Sequence, residues 1–286
     1  MNKNLARILL LFVFMARGCS FLFSKILLQT VSPMSILAVR FLLSFLVLVL
    51  IFPQRLLRCS RESLRGGIVL GLLYTVLMTF EMFGLRLIDS GVSALIENMA
   101  IVLVPLFIAA QTRVPPRKKT LLCALLAVIG VGSLSLTQNR SENAALGITL
   151  ILLAAVTYAV CIILTETVSR DADPLTIGMV QLGVMGIASL AAALPFGGFS
   201  LPHGASEWIP MLLLVLLCSC FGYAFQPLGQ KYLPAEEAAF LTVANPFTAS
   251  ILGIAVVGES LSVPKLIGYA LILTALLLYH CSGRRD

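Results

Sequence analysis

Apolar residues run along this chain in long blocks, separated by short clusters of Lys, Arg, Asp and Glu or by Pro and Gly breaks. A helix needs about 20 largely apolar residues to cross the hydrocarbon core of a bilayer. Read by that length, the pattern predicts ten spans: Ile8 to Leu28, Met34 to Phe52, Gly66 to Leu85, Val92 to Ala110, Thr120 to Leu136, Ala145 to Thr165, Leu175 to Phe196, Trp208 to Gly229, Ala238 to Val257 and Leu266 to His280. The expected fold class is an all-α polytopic membrane protein. The first block follows Lys3 and Arg7 as a signal peptide would, yet it is longer than the roughly 7 to 15 residues of a signal-peptide core, so a retained first helix is expected.

Composition leaves no space for a separate soluble domain. Of 286 residues 59% are hydrophobic and 12% charged, with a mean hydropathy of +1.02, against about 45–50% apolar and about 25% charged in soluble domains. Cys19, Cys123, Cys161, Cys218 and Cys220 lie inside apolar runs and read as small core residues rather than a disulfide framework.

The 20 Lys and Arg residues are unevenly distributed. With the N-terminus inside, Arg86, Arg140 and Lys265 fall outside and Arg17, Lys25 and Arg40 fall within spans, which leaves fourteen of the 20 on the inner side. By the positive-inside rule both termini are expected in the cytoplasm, across an even number of spans in the cytoplasmic membrane. The net charge of +7 is then topological and is no sign of a nucleic-acid partner.

The chain also resembles itself. Pro33 is preceded eight residues earlier by Lys25 and followed seven later by Arg40, and Pro174 has Glu166 and Gln181 at the same offsets. Gly84-Leu85-Arg86 matches Gly229-Gln230-Lys231, which makes Glu81 and Gln226 equivalent, and a helix-interior proline follows in each half, Pro105 and Pro246. Two five-helix repeats are expected, over residues 5–137 and 145–281. An odd number of spans per repeat inverts one copy against the other, the plan of secondary transporters whose site lies between the halves near the midplane.

These residues resemble a known family, the ten-helix EamA-like branch of the drug/metabolite transporter superfamily. The run from Gly18 to Lys25 with Pro33 and Arg40 is similar to the opening of its repeat, and Asn245-Pro246-Phe247, Gly258-Glu259-Ser260-Leu261-Ser262 and Leu266-Ile267-Gly268 are similar to its close. The resemblance implies two EamA-like domains and export, less often import, of small metabolites. This chain has Arg17-Gly18 where many members have Trp-Gly.

Charges at bilayer depth cost about 2.5–3.5 kcal/mol or more, so they face a partner or a wet cavity. Arg17 lies roughly 14 Å past Ile8 at 1.5 Å per residue, near the midplane. It is either a ligand for a substrate carboxylate or half of a buried pair. Glu81 and Glu97 sit roughly 8 Å below the outer edge, in the same half of the bilayer as Lys25 and Arg40. All four are candidates for coupling or gating, with the glutamates as the candidate proton carriers; static pairing of the glutamates with those cations and snorkelling to the interface are the alternatives. Gln181 and Gln226 occupy the milder, inner positions, which would make the two gates electrostatically unequal. Tyr158, at the repeat position of Arg17, and Asn98, Asn245 and Gln226 are candidate substrate ligands, as are Tyr74 and Tyr223; helix packing is the alternative for each. Gly67 and Gly71 form a small-xxx-small pair that suits close helix packing.

Enzyme chemistry finds little support. The chain has two His, no H-E-x-x-H or G-x-S-x-G motif and no Walker motif, and its four Asp, Asp89, Asp171, Asp173 and Asp286, fall in loops or at the end. Cys218 and Cys220, two apart, are expected on different helix faces, so neither a metal nor a cofactor is expected. The expected function is secondary transport, by a monomer, of an amino-acid-like or drug-like metabolite, with protons a candidate coupling ion. A membrane scaffold or regulatory subunit and a lipid flippase are the alternatives.

Overall fold

The computed structural model of the protein describes residues 1–113, 118–137, 143–195, 198–258 and 262–283. The elements in this set are helical. In the first half they are α1 (Lys3–Leu27), α2 (Pro33–Ile51), α3 (Pro53–Leu57), α4 (Arg61–Leu87), α5 (Ser90–Glu97), α6 (Ala100–Thr112) and α7 (Lys118–Thr137). The second half holds α8 (Ala144–Asp171), α9 (Pro174–Ala193), α10 (Gly204–Leu213), α11 (Gly222–Gln230), α12 (Ala235–Leu241), α13 (Ala244–Leu252) and α14 (Val263–Gly283). Wider π-helical turns continue α10 over Leu214–Phe221 and α13 over Gly253–Val257.

Local chemistry accounts for the helix starts. Asn2, Ser32, Ser60 and Asp173 each accept a backbone N–H of the first turn, and Pro33 and Pro174 stand at the position where a missing N–H costs nothing. The matching Ser32-Pro33 and Asp173-Pro174 steps therefore do the same job in the two halves.

Eight helical stretches among the described residues are long and apolar enough to cross a membrane, counting α5 with α6, α10 with α11, and α12 with α13 as single passages. Leu121–Gly130 in α7 and Leu266–Ala275 in α14 are shorter apolar stretches. On α1 the exposed positions Leu5, Ile8, Phe12 and Met15 recur at helical spacing, and so do Leu64, Ile68, Leu72 and Val76 on α4. These apolar faces look outward, as lipid contact requires, while the opposite faces carry the polar and small residues inward.

Packing runs mainly between the halves. α4 lies along α8 and α9, α1 along α11, α13 and the π turn that precedes α11, α2 along α9, and α7 along α14. Gly67 and Gly71 let α4 close on Val180 and Val184 of α9; a Cβ at either would come within 2.7 Å of those side chains. That is the close packing expected of the pair.

Three predicted spans differ in form. The fourth and ninth are broken, at Asn98-Met99 and at Thr242-Val243, where three-residue bonds such as Ile101 N to Asn98 O (3.1 Å) and Asn245 N to Thr242 O (2.9 Å) replace the α pattern. The eighth changes to π geometry in its middle, where Cys218 and Cys220 are both buried. Glu259, Ser260 and Leu261 of the family-like close lie outside the described residues.

Candidate functional site

Arg17 stands just past the middle of the 25-residue α1, with Gly18 and Ser20 on its inward side. A Cβ at Gly18 would fall 2.6 Å from the backbone oxygen of Asn245, so only glycine lets α1 approach α13 this closely. The Arg17 side chain passes over Gly222, whose added Cβ would lie 3.0 Å from Arg17 Cγ.

The hydrogen-bond partners of its guanidinium all come from the second half. Arg17 Nη1 donates to the Tyr158 hydroxyl (2.9 Å) and to Gln226 Oε1 (2.8 Å), and Nη2 donates to the Tyr223 hydroxyl (3.2 Å). The rings of Tyr223, Tyr158 and Tyr74 face the charge at 4.4, 4.7 and 5.8 Å from their centroids. Gln226 is held in turn, since its Nε2 donates to the Tyr74 hydroxyl and to Gln230 Oε1, both at 3.0 Å. The Tyr223 hydroxyl donates to Met78 Sδ at 2.8 Å.

Arg40, fully buried on α2, shares Tyr223 with Arg17, its guanidinium carbon lying 5.6 Å from the ring centroid. Its Nε donates to Ser219 Oγ (2.7 Å) and its Nη1 to Ser20 Oγ (3.2 Å), while Nη2 has no partner. Glu81 and Glu97 lie beside each other, within electrostatic range of Arg17. Glu81 Oε1 and Glu97 Oε2 are left without partners. The described ion pairs join Arg7 to Glu237, Arg55 to Asp173 and Arg170 to Glu166; neither Arg17 nor Arg40 is among them.

The structure thus gathers Arg17, Tyr158, Gln226, Arg40, Glu81 and Glu97 into one enclosed cluster. Gln226 lies on Arg17 itself rather than at a separate inner gate. Asn98 sits at the break between α5 and α6 and accepts a hydrogen bond from Thr242 Oγ1 at 2.6 Å, so the two helix breaks meet. Asn245 lies beside Gly18, with its Oδ1 unpartnered. Lys25 stands apart, donating to the carbonyls of Leu85 and Ile88 at 2.7 Å each, at the C-terminal end of α4. Ser20, Ser219, Gln230 and Thr242 were not singled out from the sequence. Two of them had a signal, since Ser20 is three residues from Arg17 and Gln230 four from Gln226, on the same helix faces.

A guanidinium offers five donors and no acceptor. Here its hydrogen-bond partners are neutral, an arrangement suited to receiving an anion, because a carboxylate can take two parallel charge-assisted bonds from the planar fork.

A multi-pass helical bundle around an enclosed cluster of charged and polar side chains has the architecture of a membrane transporter. The chain belongs to the EamA-like transporter family of the drug/metabolite transporter superfamily: the family's model matches residues 4–136 and again residues 145–280. It is 27% identical over 191 residues to an uncharacterized transporter of Archaeoglobus fulgidus, a match covering 66% of this chain and 67% of that one. It is 25% identical over 173 residues to the uncharacterized transporter YwfM of Bacillus subtilis, covering 60% of this chain and 57% of the relative. A crystal structure of a protein 18% identical in sequence shares the fold, with a TM-score of 0.71 and 99% of each chain covered.

Proposed function

We propose that this protein is a ten-helix secondary transporter of the cytoplasmic membrane, in which two inverted five-helix halves rock about a central site to export a small amino-acid-like or drug-like metabolite. The two successive family matches support the duplication. So does the packing pattern: exchanging the halves turns α4 on α8 into α11 on α1, and leaves α2 on α9 and α7 on α14 as they are. Export is the direction that the family resemblance implies. The surplus of Lys and Arg on one side supports cytoplasmic termini.

One observation carries the proposal: Arg17 belongs to the first half, yet its side-chain hydrogen bonds go to neutral groups of the second. A substrate carboxylate that takes over the guanidinium from Tyr158 and Gln226 loosens the bonds between the halves while satisfying the charge. Substrate binding and rearrangement are then one event, as alternating access requires.

Reconstituted protein should exchange at least one compound of a broad metabolite panel across the bilayer. Arg17→Lys should insert and fold, yet bind acidic or zwitterionic ligands about 1.5–3 kcal/mol more weakly, because an ammonium lacks the planar fork. Absence of counterflow for the whole panel would leave a scaffold or regulatory subunit as the better reading, and lipid scrambling by the protein alone would point to a flippase.

A further inference from the structure

Where the two halves meet at the face proposed as cytoplasmic, they leave a cavity of about 760 Å³, within the range of about 300–1,000 Å³ usual for small-molecule sites. One wall belongs to the first half, between Gln54 and Ser63; the other belongs to the second, from Arg170 to Thr176 together with Lys231. Basic side chains prevail there. The segments that form the walls, 53–65, 166–176 and Lys231, hold six Lys or Arg against four Asp or Glu.

Two of the lining cations are committed, Arg55 to Asp173 (3.0 Å) and Arg170 to Glu166. The described ion pairs leave out Arg58 and Lys231, which stand on opposite walls. The Lys231 ammonium, half-buried, donates to a neutral partner, the carbonyl oxygen of Ala172, at 3.2 Å. Of the lining acids, Asp173 is taken by Arg55 and by its own helix start, where it accepts from Thr176 N (3.3 Å), and Glu62 lies in the first turn of α4. Asp171 then stands alone against the two uncommitted cations, and the partial positive ends of α4 and α9 add to them.

An apolar surface adjoins the first wall. The two most exposed large apolar side chains among the described residues are Leu57 (86%) and Leu50 (81%), which flank Gln54 and Arg55 in sequence, with Ile51 beside Leu50. A ligand at this place meets free cations and hydrocarbon-seeking side chains together, a pairing that a phospholipid matches and a soluble anion does not. We infer that an anionic phospholipid docks at this cavity, its phosphodiester held between Arg58 and Lys231 and its acyl chains laid along Leu50 and Leu57. A phosphate takes the forked donors of Arg and the point charge of Lys equally well. Because its two cations come from different halves, the headgroup ties the halves at this face and favours the arrangement described over one in which the walls part.

The test is titration of dioleoylphosphatidylglycerol into the purified full-length chain in detergent, followed by native mass spectrometry. Dioleoylphosphatidylcholine supplies the same chains without net charge, and glycerol phosphate supplies the phosphate without chains. The first phosphatidylglycerol should bind about tenfold or more tighter than either. Arg58→Gln and Lys231→Gln should each weaken it about tenfold, as expected for loss of a charged hydrogen bond. Arg65→Gln removes the same charge from an exposed position of α4 outside the cavity, and should change binding less than about twofold because solvent and salt screen a distant charge.

Equal binding of phosphatidylcholine overturns the inference. Glycerol phosphate binding as tightly as the lipid also overturns it and assigns the cavity to a soluble anion. An equal loss in Arg65→Gln does the same, since the attraction is then spread over the whole basic face. Arg58 and Arg65 are both exposed, so that comparison leaves the core intact and decides the matter without Lys231→Gln. The readout needs no transport, so it stands apart from the test of the transport reading.

Discussion

Arg17 shows how much one side chain can decide. Hydropathy alone singles it out, since a guanidinium near the middle of an apolar run has no easy reach to either interface. Its neighbours are another matter. The acidic partner that a buried cation would ordinarily need is replaced by three tyrosines and a glutamine, which satisfy its geometry without cancelling its charge. The two glutamates, for their part, lie beside each other. If one of them carries the coupling proton, replacing that carrier with Gln should abolish gradient-driven accumulation while substrate exchange persists, because exchange needs the site but not the proton cycle. Accumulation that survives in both Glu81→Gln and Glu97→Gln would remove these residues from coupling; flux in vesicles with and without an imposed pH gradient decides it.

At the scale of the element, the repeated feature is the break and not the proline. Pro105 and Pro246 lie 21 and 17 residues after Gly84 and Gly229, a full turn out of register. The breaks that begin at Asn98 and Thr242 lie 14 and 13 residues after the same glycines, nearly in step. The charge reversal between Lys25 and Glu166 also finds a cause. Lys25 bonds the carbonyl end of α4, whereas Glu166 Oε2 accepts the backbone N–H of Ala235 at the start of α12, at 2.8 Å. Each charge has the sign that complements its helix end. Replacing Glu166 with Ala should therefore lower stability by about 1 kcal/mol, as for loss of an N-terminal cap. Lys25→Glu should cost more, since it sets a carboxylate against carbonyl oxygens; thermal unfolding in detergent compares the two.

Across the whole molecule, one face ties the halves together through polar contacts. Arg55 Nη1 bonds Asp173 Oδ1 at 3.0 Å, and the backbone N–H of Asp173 donates to Ser63 Oγ at 3.2 Å. Beside them lies a cavity of about 760 Å³ lined by Arg58, Ser60, Arg170 and Lys231 among others. Cys59 adjoins this face, and partial burial together with the charge of Asp173 raises its thiol above the ordinary range. In a variant that keeps only Cys59, a membrane-impermeant maleimide should label the chain in inside-out vesicles and not in intact cells. The rate should be low at neutral pH, where the thiolate is scarce, and should rise on Asp173→Asn, which lets the thiol ionise at lower pH. Labelling from the outside would reverse the proposed orientation.

What the sequence determined by itself was the class of the molecule and the identity of its costly residues. Transfer of apolar surface is a property of each segment separately, so the helical passages through Leu10, Val39 or Ile151 are legible without knowing what lies beside them. The buried charges are legible for the same reason, because each is penalised where it stands in the chain. The partners were decided only by tertiary packing. Whether Arg17 meets Glu81 or Tyr158, whether Gln226 guards a gate or holds a guanidinium, and whether Asn98 merely packs or meets the opposite break all depend on how helices far apart in sequence cross. Those crossings are set by close approaches such as Gly18 on Asn245 and Gly222 under Arg17, and by the breaks that redirect α5 and α12. A hydropathy pattern averages over a passage and does not register a two-residue interruption within it.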